Sequence, residues 1–182
     1  MLDLVFDEQN NLYYFVDENG NKSEPYADAK PYSYGYAVVQ KEKGKGYYYR
    51  SESGKLSQRF NFASPFDEIG VAIVRRTKTS KDQYIDADLN LSEKEFYFAD
   101  TYSEGFARVQ FIRGGRVHFR DTKGNISKEG YGCASRYHEG FAVVSSSAVG
   151  NKGIHWFRDL NGNLSEPFKF ASDYNNGLAI VG

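Results

Sequence analysis

The sequence predicts an all-β protein built of five tandem antiparallel β-meander repeats of about 35 residues each. Two recurring motifs predict this class. A glycine returns at positions 35, 70, 105, 140 and 177, and a motif containing an aromatic residue, Asp, Gly and Ser returns between these glycines. The composition agrees, because the 182 residues include 15 Tyr, 14 Phe and 18 Gly. Tyr and Phe favour strands, and Gly favours turns.

The first motif reads Ala-x-x-aromatic-x-x-Gly-x-Ala and predicts a strand after its glycine, which we name strand A. Four regular copies occupy 29–37, 99–107, 134–142 and 171–179. A fifth copy, from Ala63 through Phe66 to Gly70, has one inserted residue. Small and branched residues alternate after the glycine, which indicates a strand with one buried face. We expect the motif aromatics to be core residues: Tyr32, Phe66, Tyr102, Tyr137 and Tyr174.

The second motif reads aromatic-x-Asp-x-x-Gly-x-x-Ser and predicts a second strand, strand B, followed by a tight turn. In one clear copy, strand B ends at Asp159 and the turn contains Gly162. The aspartate suits hydrogen bonding to the backbone ahead of it, and the glycine suits the left-handed conformation. The corresponding aspartates are Asp17, Asp86 and Asp121. A short third strand through the serine completes a meander that cannot bury both faces alone, so we expect neighbouring repeats to stack.

We expect one repeat domain over residues 1–182, with units that join near residues 26, 60, 96, 131 and 168. The chain opens with a strand B, Leu12 to Val16, and stops after a strand A, Gly177 to Val181. If these two strands pair, the array closes into a propeller-like ring without an unpaired edge, and we favour this arrangement. An open β superhelix or solenoid is the alternative, because about 35 residues is short for a four-stranded blade.

These motifs resemble the WG-repeat family of bacterial proteins, whose units carry Trp-Gly-Tyr-Ile-Asp followed by Pro-x-aromatic-x-x-Ala-x-x-aromatic-x-x-Gly. The best-matching segments are 84–86, 98–109 and 166–179. The Trp-Gly pair itself is absent, and its places hold Tyr13-Tyr14, Tyr47-Tyr48, Asp82-Gln83, Val117-His118 and His155-Trp156. The resemblance implies a β-repeat scaffold with a binding role, and it offers no catalytic residues.

The residues that could carry catalysis are scattered along the sequence. His118, His138 and His155 lie in different units, and we interpret them as polar residues of aromatic size on half-exposed strands rather than as metal ligands. Cys133 stands beside Ala134 in an apolar segment with no evident base, so we expect a core thiol. The turn role of the motif aspartates already accounts for them. We therefore expect a non-enzymatic protein without a metal or cofactor.

The charge pattern suggests a local electrostatic function. The formal net charge is −1 and the pI is about 6.3, which argues against a globally basic nucleic-acid binder. Cations collect in the loops between strands A and B, whereas carboxylates collect in the turns after strand B. The basic candidates are Lys41, Lys43, Lys45, Arg75, Arg76, Lys78, Arg113 and Arg116, and Lys81 and Lys152 belong to the same loops. Because equivalent loops of stacked repeats share one rim, we expect this rim to bind an anionic partner, foremost a protein.

Three alternatives to protein binding stay open. The basic loops could be merely solvated, and the protein could be a purely structural repeat segment. The third alternative is a carbohydrate-binding module that stacks sugars on exposed rings, with a glycan as its ligand. Its candidates are Tyr13, Tyr14, Tyr47, Tyr48 and Trp156. Residues 12–20 also resemble the aromatic repeat of choline- and glucan-binding proteins, although those repeats have a shorter period.

The location of the protein is predicted from what the sequence lacks. A single cysteine permits no internal disulfide. No apolar run approaches the length of a membrane span, and the first residues have no basic segment followed by an apolar one. We expect a cytoplasmic protein without a membrane span, although a signal peptide already removed would leave no trace.

Overall fold

The computed structural model describes residues 2–149 and 153–182. All regular secondary structure in these residues is β, with fourteen strands in five small antiparallel sheets. The predicted all-β class is therefore confirmed. Among the described residues, no helix has the length and apolar character needed to cross a membrane.

The first sheet has two strands, β1 (Asp3–Asp7) and β2 (Leu12–Val16), with Asp3 opposite Val16 and Asp7 opposite Leu12. β2 is the predicted initial strand B, but the partner predicted for it is wrong. β1 takes the edge that we assigned to the terminal strand A. This local hairpin needs only a short loop, and Leu4 of β1 packs against the core that contains Phe15. The closed ring that we favour and the open array that is its alternative both stay predictions.

The other four sheets repeat one three-stranded design. A two-residue strand pairs with one side of strand A, and strand B pairs with the other side. The second sheet contains β3 (Asp28–Ala29), β4 (Tyr36–Gln40) and β5 (Tyr48–Ser51), and the third contains β6 (Phe62–Ala63), β7 (Val71–Arg75) and β8 (Gln83–Asp86). The fourth contains β9 (Phe98–Ala99), β10 (Phe106–Gln110) and β11 (His118–Asp121), and the fifth contains β12 (Cys133–Ala134), β13 (Phe141–Ser145) and β14 (His155–Asp159). The predicted pairing of strand A with strand B is confirmed in all four.

The chain divides into two units, residues 1–94 and 95–182. The first unit holds the first three sheets, and the second holds the fourth and fifth sheets. The second unit also holds residues 170–182, which we name the C-terminal half-repeat. In this segment Ala171 bridges Val181 and Asn175 bridges Leu178. The half-repeat therefore reproduces the short strand, the turn and strand A of the other repeats.

The predicted third strand is reduced to two bridges onto strand B. In the fifth sheet Leu164 bridges Arg158 and Phe168 bridges His155. The motif serine fixes this return, because the hydroxyl of Ser165 accepts the amide of Phe157 at 3.0 Å. The same contact is made by Ser23, Ser57, Ser92 and Ser127. The serine of the second motif is thus explained by a hydrogen bond across the turn.

Neighbouring sheets within each unit pack on one another and bury the motif residues. In the first unit, Val38 and Tyr49 of the second sheet share a core with Ala63 and Val74 of the third sheet. In the second unit, the corresponding core contains Phe119, Tyr131, Ala134, Tyr137, Ala142 and Val144. The predicted core role is confirmed for Phe66 and Tyr137, whereas Tyr32, Tyr102 and Tyr174 are half-buried. Stacking of repeats therefore supplies the burial that one meander lacks.

A buried arginine joins the motif aromatic to the neighbouring sheet. The hydroxyl of Tyr137 donates to the carbonyl oxygen of Asp159 at 3.0 Å and accepts a hydrogen bond from Arg158. The guanidinium of Arg158 also lies 4.9 Å from the ring centre of Phe119 in the fourth sheet. Tyr32 with Arg50 and Tyr102 with Arg120 form the same hydrogen bond. This contact uses both repeated motifs, yet neither motif alone indicates it.

A pair of clasps links consecutive repeats of the second unit at the turn before strand A. Glu139 and Gly140 both have positive φ, 53° and 86°, as a two-residue hairpin turn requires. The carboxylate of Glu104 accepts both of their amides at 2.7 Å. The carboxylate of Glu139 in turn accepts the amides of Asn176 and Gly177 at 2.8 and 2.7 Å. We name these two contacts the glutamate clasps.

We expect the glutamate clasp at Glu139 to hold the C-terminal half-repeat in place. The substitution Glu139→Ala should release the amide of Gly177 and cost about 1–2 kcal/mol, because two charge-assisted hydrogen bonds are lost in a solvated turn. Amide hydrogen exchange should accelerate at Gly177, whereas the amide of Gly140 should exchange as before. Unchanged exchange at Gly177 would contradict a stabilising role for the clasp.

The motif aspartates are turn residues, as predicted. One carboxylate oxygen of Asp159 accepts the amide of Asn163 at 2.7 Å, and the other accepts its side-chain amide at 2.9 Å. These hydrogen bonds hold the pKa of Asp159 below its ordinary value of 3.8. The pKa of Asp17 is lowered for the same reason. Gly162 takes the left-handed conformation that the motif predicts, with a φ of 91°.

We expect the protein to lose stability in acid as these turn aspartates become protonated. A pKa lowered in the folded state gives stability that is complete above the unfolded pKa and is lost as the pH falls through the folded pKa. The melting temperature should therefore decrease below about pH 4. The double variant Asp17→Asn, Asp159→Asn should melt lower at pH 7 and show a shallower decline in acid. A decline as steep as that of the wild type would contradict this explanation.

Candidate functional site

The predicted basic rim corresponds to the loops between strands A and B, which we name the basic loops. They comprise residues 41–47 after β4, 76–82 after β7 and 111–117 after β10. A fourth loop follows β13 and contains the predicted Lys152, which lies outside the described residues. Because the second and third sheets stack with equivalent residues in their core, loops 41–47 and 76–82 emerge at the same end of the first unit.

The two basic loops of the first unit carry a strong excess of positive charge. They contain six cations, Lys41, Lys43, Lys45, Arg76, Lys78 and Lys81, and all six are exposed. Their carboxylates are Glu42 and Asp82, and Asp82 is already paired with Arg75 at the end of β7. These loops therefore concentrate charge in a chain whose net charge is −1.

Arg75 differs from the other basic candidates because it is part of the sheet. Its side chain forms an ion pair at 2.7 Å with the buried Asp82, so that the end of β7 is joined to the end of loop 76–82. Its guanidinium also lies 5.7 Å from the ring of Phe62. Arg116 is likewise engaged, donating to the carbonyl oxygen of Gly130 at 2.8 Å. These two arginines support the fold and are unsuitable for a test of partner binding.

Apart from Arg116, five of the predicted cations are exposed and are in no ion pair among the described residues: Lys41, Lys43, Lys45, Lys78 and Arg113. Lys41 lies 5.8 Å from the ring of Tyr48, and its ammonium is still on the surface. The motif aspartates Asp17 and Asp159, at the opposite ends of the strands, differ because they are already hydrogen-bonded within their own turns. The exposed cations are therefore the charges of the basic loops that are most available to a partner.

The five predicted sugar-stacking rings are all half-buried. Tyr13 packs on Phe6 with ring centres 4.8 Å apart, and the ammonium of Lys22 lies 5.2 Å from the ring of Tyr14. Tyr47 and Tyr48 similarly contact Phe62 and Lys41, and Trp156 packs against the core of the second unit. Sheet packing and lysine side chains therefore occupy surface that a stacked sugar would need.

The structure corrects the interpretation of Cys133 and of one histidine. Cys133 is exposed, because β12 alternates and it is Ala134 that faces the core. His118 is half-buried and bonds through Nδ1 to the carbonyl oxygen of Ser127 at 3.0 Å, and His138 lies exposed in a turn. His155, in contrast, is buried rather than half-exposed. In the described part of the chain, no three His, Cys, Asp or Glu side chains are placed to hold a metal ion.

A polar cleft in the second unit escaped the sequence prediction. It has a volume of about 710 Å³ and is lined by Arg108, Arg136 and the turn around Tyr174. Both arginines bind the carboxylate of Asp100, and the Nε atom of each donates to its Oδ2 at 2.9 Å. Burial alone would raise the pKa of Asp100, but the hydrogen bonds from Arg136 and Arg108 outweigh it and lower the pKa. The sequence signal was an Asp after the motif alanine, where three of the other four repeats have Ser.

Comparison with known proteins adds little to this description. No family model matches the sequence, and no curated protein matches it. Among solved structures, the chain is similar to virginiamycin B lyase from Staphylococcus aureus, with a TM-score of 0.40 and 10% identity over 89% of this chain and 67% of that chain. It is also similar to a streptogramin B lyase, with a TM-score of 0.41 and 11% identity over 90% of this chain and 67% of that chain. Similarities with such low TM-scores establish neither a shared fold nor a shared function.

Proposed function

We propose that the protein is a non-enzymatic β-repeat scaffold, of the kind found in WG-repeat proteins, that binds an acidic protein through its basic loops. The observation that supports this proposal is the excess of exposed cations in loops 41–47 and 76–82. Cations that emerge at one end of a pair of stacked sheets create a local positive potential there. A partner with clustered carboxylates is the complementary ligand.

The glycan alternative has weaker support. A sugar needs an aromatic face open to solvent, whereas Tyr14 and Tyr48 have lysine ammonium groups close to their rings. Tyr13, Tyr47 and Trp156 are packed against neighbouring side chains. We therefore favour an acidic protein as the partner.

Charge reversal in the basic loops should remove the interaction without affecting the fold. We expect the double variant Lys43→Glu, Lys78→Glu to bind poly-L-glutamate at least about tenfold more weakly than the wild type at low salt. Its thermal unfolding should be unchanged, because neither side chain is in an ion pair among the described residues. Binding can be measured by fluorescence anisotropy of labelled poly-L-glutamate over a series of salt concentrations.

The matched control reverses two exposed lysines in the turns after strand B. The double variant Lys55→Glu, Lys123→Glu changes the net charge by the same amount at the opposite ends of the strands. We expect it to bind within about twofold of the wild type. If both variants weaken binding equally, net charge rather than the basic loops determines the interaction, and the proposal is wrong.

A further inference from the structure

The fifth sheet borders a cavity of about 390 Å³, which we name the His155 cavity. Cavities that bind small molecules have volumes of about 300–1,000 Å³. One wall comes from the fifth sheet and includes Ala134 and Val143, and the opposite wall is the segment 170–173 of the C-terminal half-repeat. The lining is mainly apolar, with a few polar groups, as is typical of a small-molecule site.

The polar groups of the cavity form a row across the sheet. Cys133 lies opposite Ser145, and Ser145 lies opposite His155, in the pairing of the three strands. Residues directly opposite one another in antiparallel strands share a face of the sheet. All three residues line the His155 cavity, so a thiol, a hydroxyl and an imidazole are presented side by side.

His155 is buried without a hydrogen-bond partner. The residue is 8% exposed, and neither Nδ1 nor Nε2 has a partner among the described residues. A buried polar group that is left unpaired destabilises the folded protein. Ser145 has donor capacity to spare, because its hydroxyl accepts the amide of Ser147 at 3.3 Å and donates to no acceptor among the described residues. The unpaired groups are thus adjacent, and both belong to the lining of the cavity.

The equivalent rows of the other sheets show that the fold does not require this histidine. In the third sheet the row contains Arg75 and Asp82, which satisfy each other in an ion pair. In the fourth sheet Gln110 donates to the carbonyl oxygen of Gly115 at 2.8 Å, and Val117 takes the place of His155. A smaller cavity of about 280 Å³ lies beside that row. The unpaired imidazole is therefore a feature of the fifth sheet and not of the repeat.

We propose that the His155 cavity binds a small, uncharged, largely apolar molecule that carries a hydroxyl group, as phenol does. A neutral imidazole offers one donor and one acceptor, and a hydroxyl group can form a hydrogen bond with either of them. The apolar walls take the hydrocarbon part of the ligand. Asp173 also lines the cavity, and its charge disfavours a carboxylate ligand. This site lies in the second unit and does not depend on the proposed function of the basic loops.

The single cysteine of the chain reports on the occupancy of the cavity. Cys133 is exposed and belongs to the same row as His155, so a bound molecule should shield its thiol. We expect phenol to slow the reaction of Cys133 with a disulfide reagent in a saturable manner. Phenol should bind about fivefold more tightly than toluene, the difference that one hydrogen bond makes.

The variant His155→Val gives the fifth sheet the residue type that the fourth sheet has at the equivalent position, Val117. It should abolish the preference for phenol over toluene and leave thermal unfolding unchanged or slightly improved, because an unpaired polar group is removed. If His155→Val fails to fold, His155→Gln, which keeps a donor and an acceptor, should retain the preference. Equal protection by phenol and toluene in the wild type would overturn the proposal, as would a preference that persists in His155→Val.

Discussion

Replacement of Phe119 by alanine should lower the free energy of unfolding by about 4 kcal/mol, the middle of the range for a buried aromatic residue. Phe119 is 2% exposed and reaches from the fourth sheet into the core shared with the fifth. Its ring centre lies 5.1 Å from that of Tyr137 and 4.9 Å from the guanidinium of Arg158. Urea unfolding followed by far-ultraviolet circular dichroism gives the free energy.

The matched control is Phe157→Ala, the same substitution at the equivalent position of the next repeat. Phe157 is 7% exposed and contacts Tyr174 at 4.9 Å between ring centres. Its ring packs beside the C-terminal half-repeat rather than against a three-stranded sheet, and no arginine lies over it among the described residues. We expect about half the loss found for Phe119→Ala. Equal losses would show that stacking between full repeats is not what makes Phe119 important.

Replacement of Asp100 by alanine should cost about 3 kcal/mol. The carboxylate is 7% exposed and is the shared partner of Arg108 and Arg136, so its removal leaves two guanidinium groups without their anion. Arg136 belongs to the next repeat, and the substitution therefore weakens the contact between repeats. The value is at the lower end for buried ion pairs because the side chain of Arg136 is 55% exposed and can be solvated.

The variant Asp100→Ser separates the two roles of this residue. Ser135 and Ser172 hold the equivalent position in later repeats, where the hydroxyl accepts the amide of Val143 or Ile180 at 2.9 Å. Asp100→Ser should therefore recover part of the stability lost in Asp100→Ala. The free energy of unfolding should decline less steeply with falling pH in both variants than in the wild type. The reason is that the pKa of Asp100 is lowered in the folded state, so that Asp100 contributes to the decline of the wild type. A cost below about 1 kcal/mol for Asp100→Ala would contradict the account of this cluster.

The repeat motifs were enough to predict strands A and B and the turns that follow them in four sheets, but not the two-residue strand on the other side of strand A. Their glycines mark positions of positive φ, such as Gly140 and Gly162, and a backbone requirement of this kind is visible in a sequence. Alternation after the glycine identified the buried face of strand A, confirmed by the buried Ala142 and Val144. These features are local, since each depends on a few consecutive residues.

The contacts between repeats could not be predicted from the same motifs. Arg158 reaches Phe119 and Glu104 reaches Gly140 only because the sheets stack in one particular register. β1 was missed because Asp3–Asp7 lacks the glycine and alanines of strand A, although it takes that strand's place beside β2. The exposure of Cys133 was missed because a two-residue strand is too short to show its alternation.

The most direct test of the central claim is to map the contact surface of an acidic partner by nuclear magnetic resonance. Poly-L-glutamate would be titrated into isotope-labelled protein at low salt. We expect the largest amide shifts in loops 41–47 and 76–82, and we expect them to disappear in the variant Lys43→Glu, Lys78→Glu. Shifts concentrated in the turns after strand B, or around Tyr14 and Tyr48, would contradict binding through the basic loops.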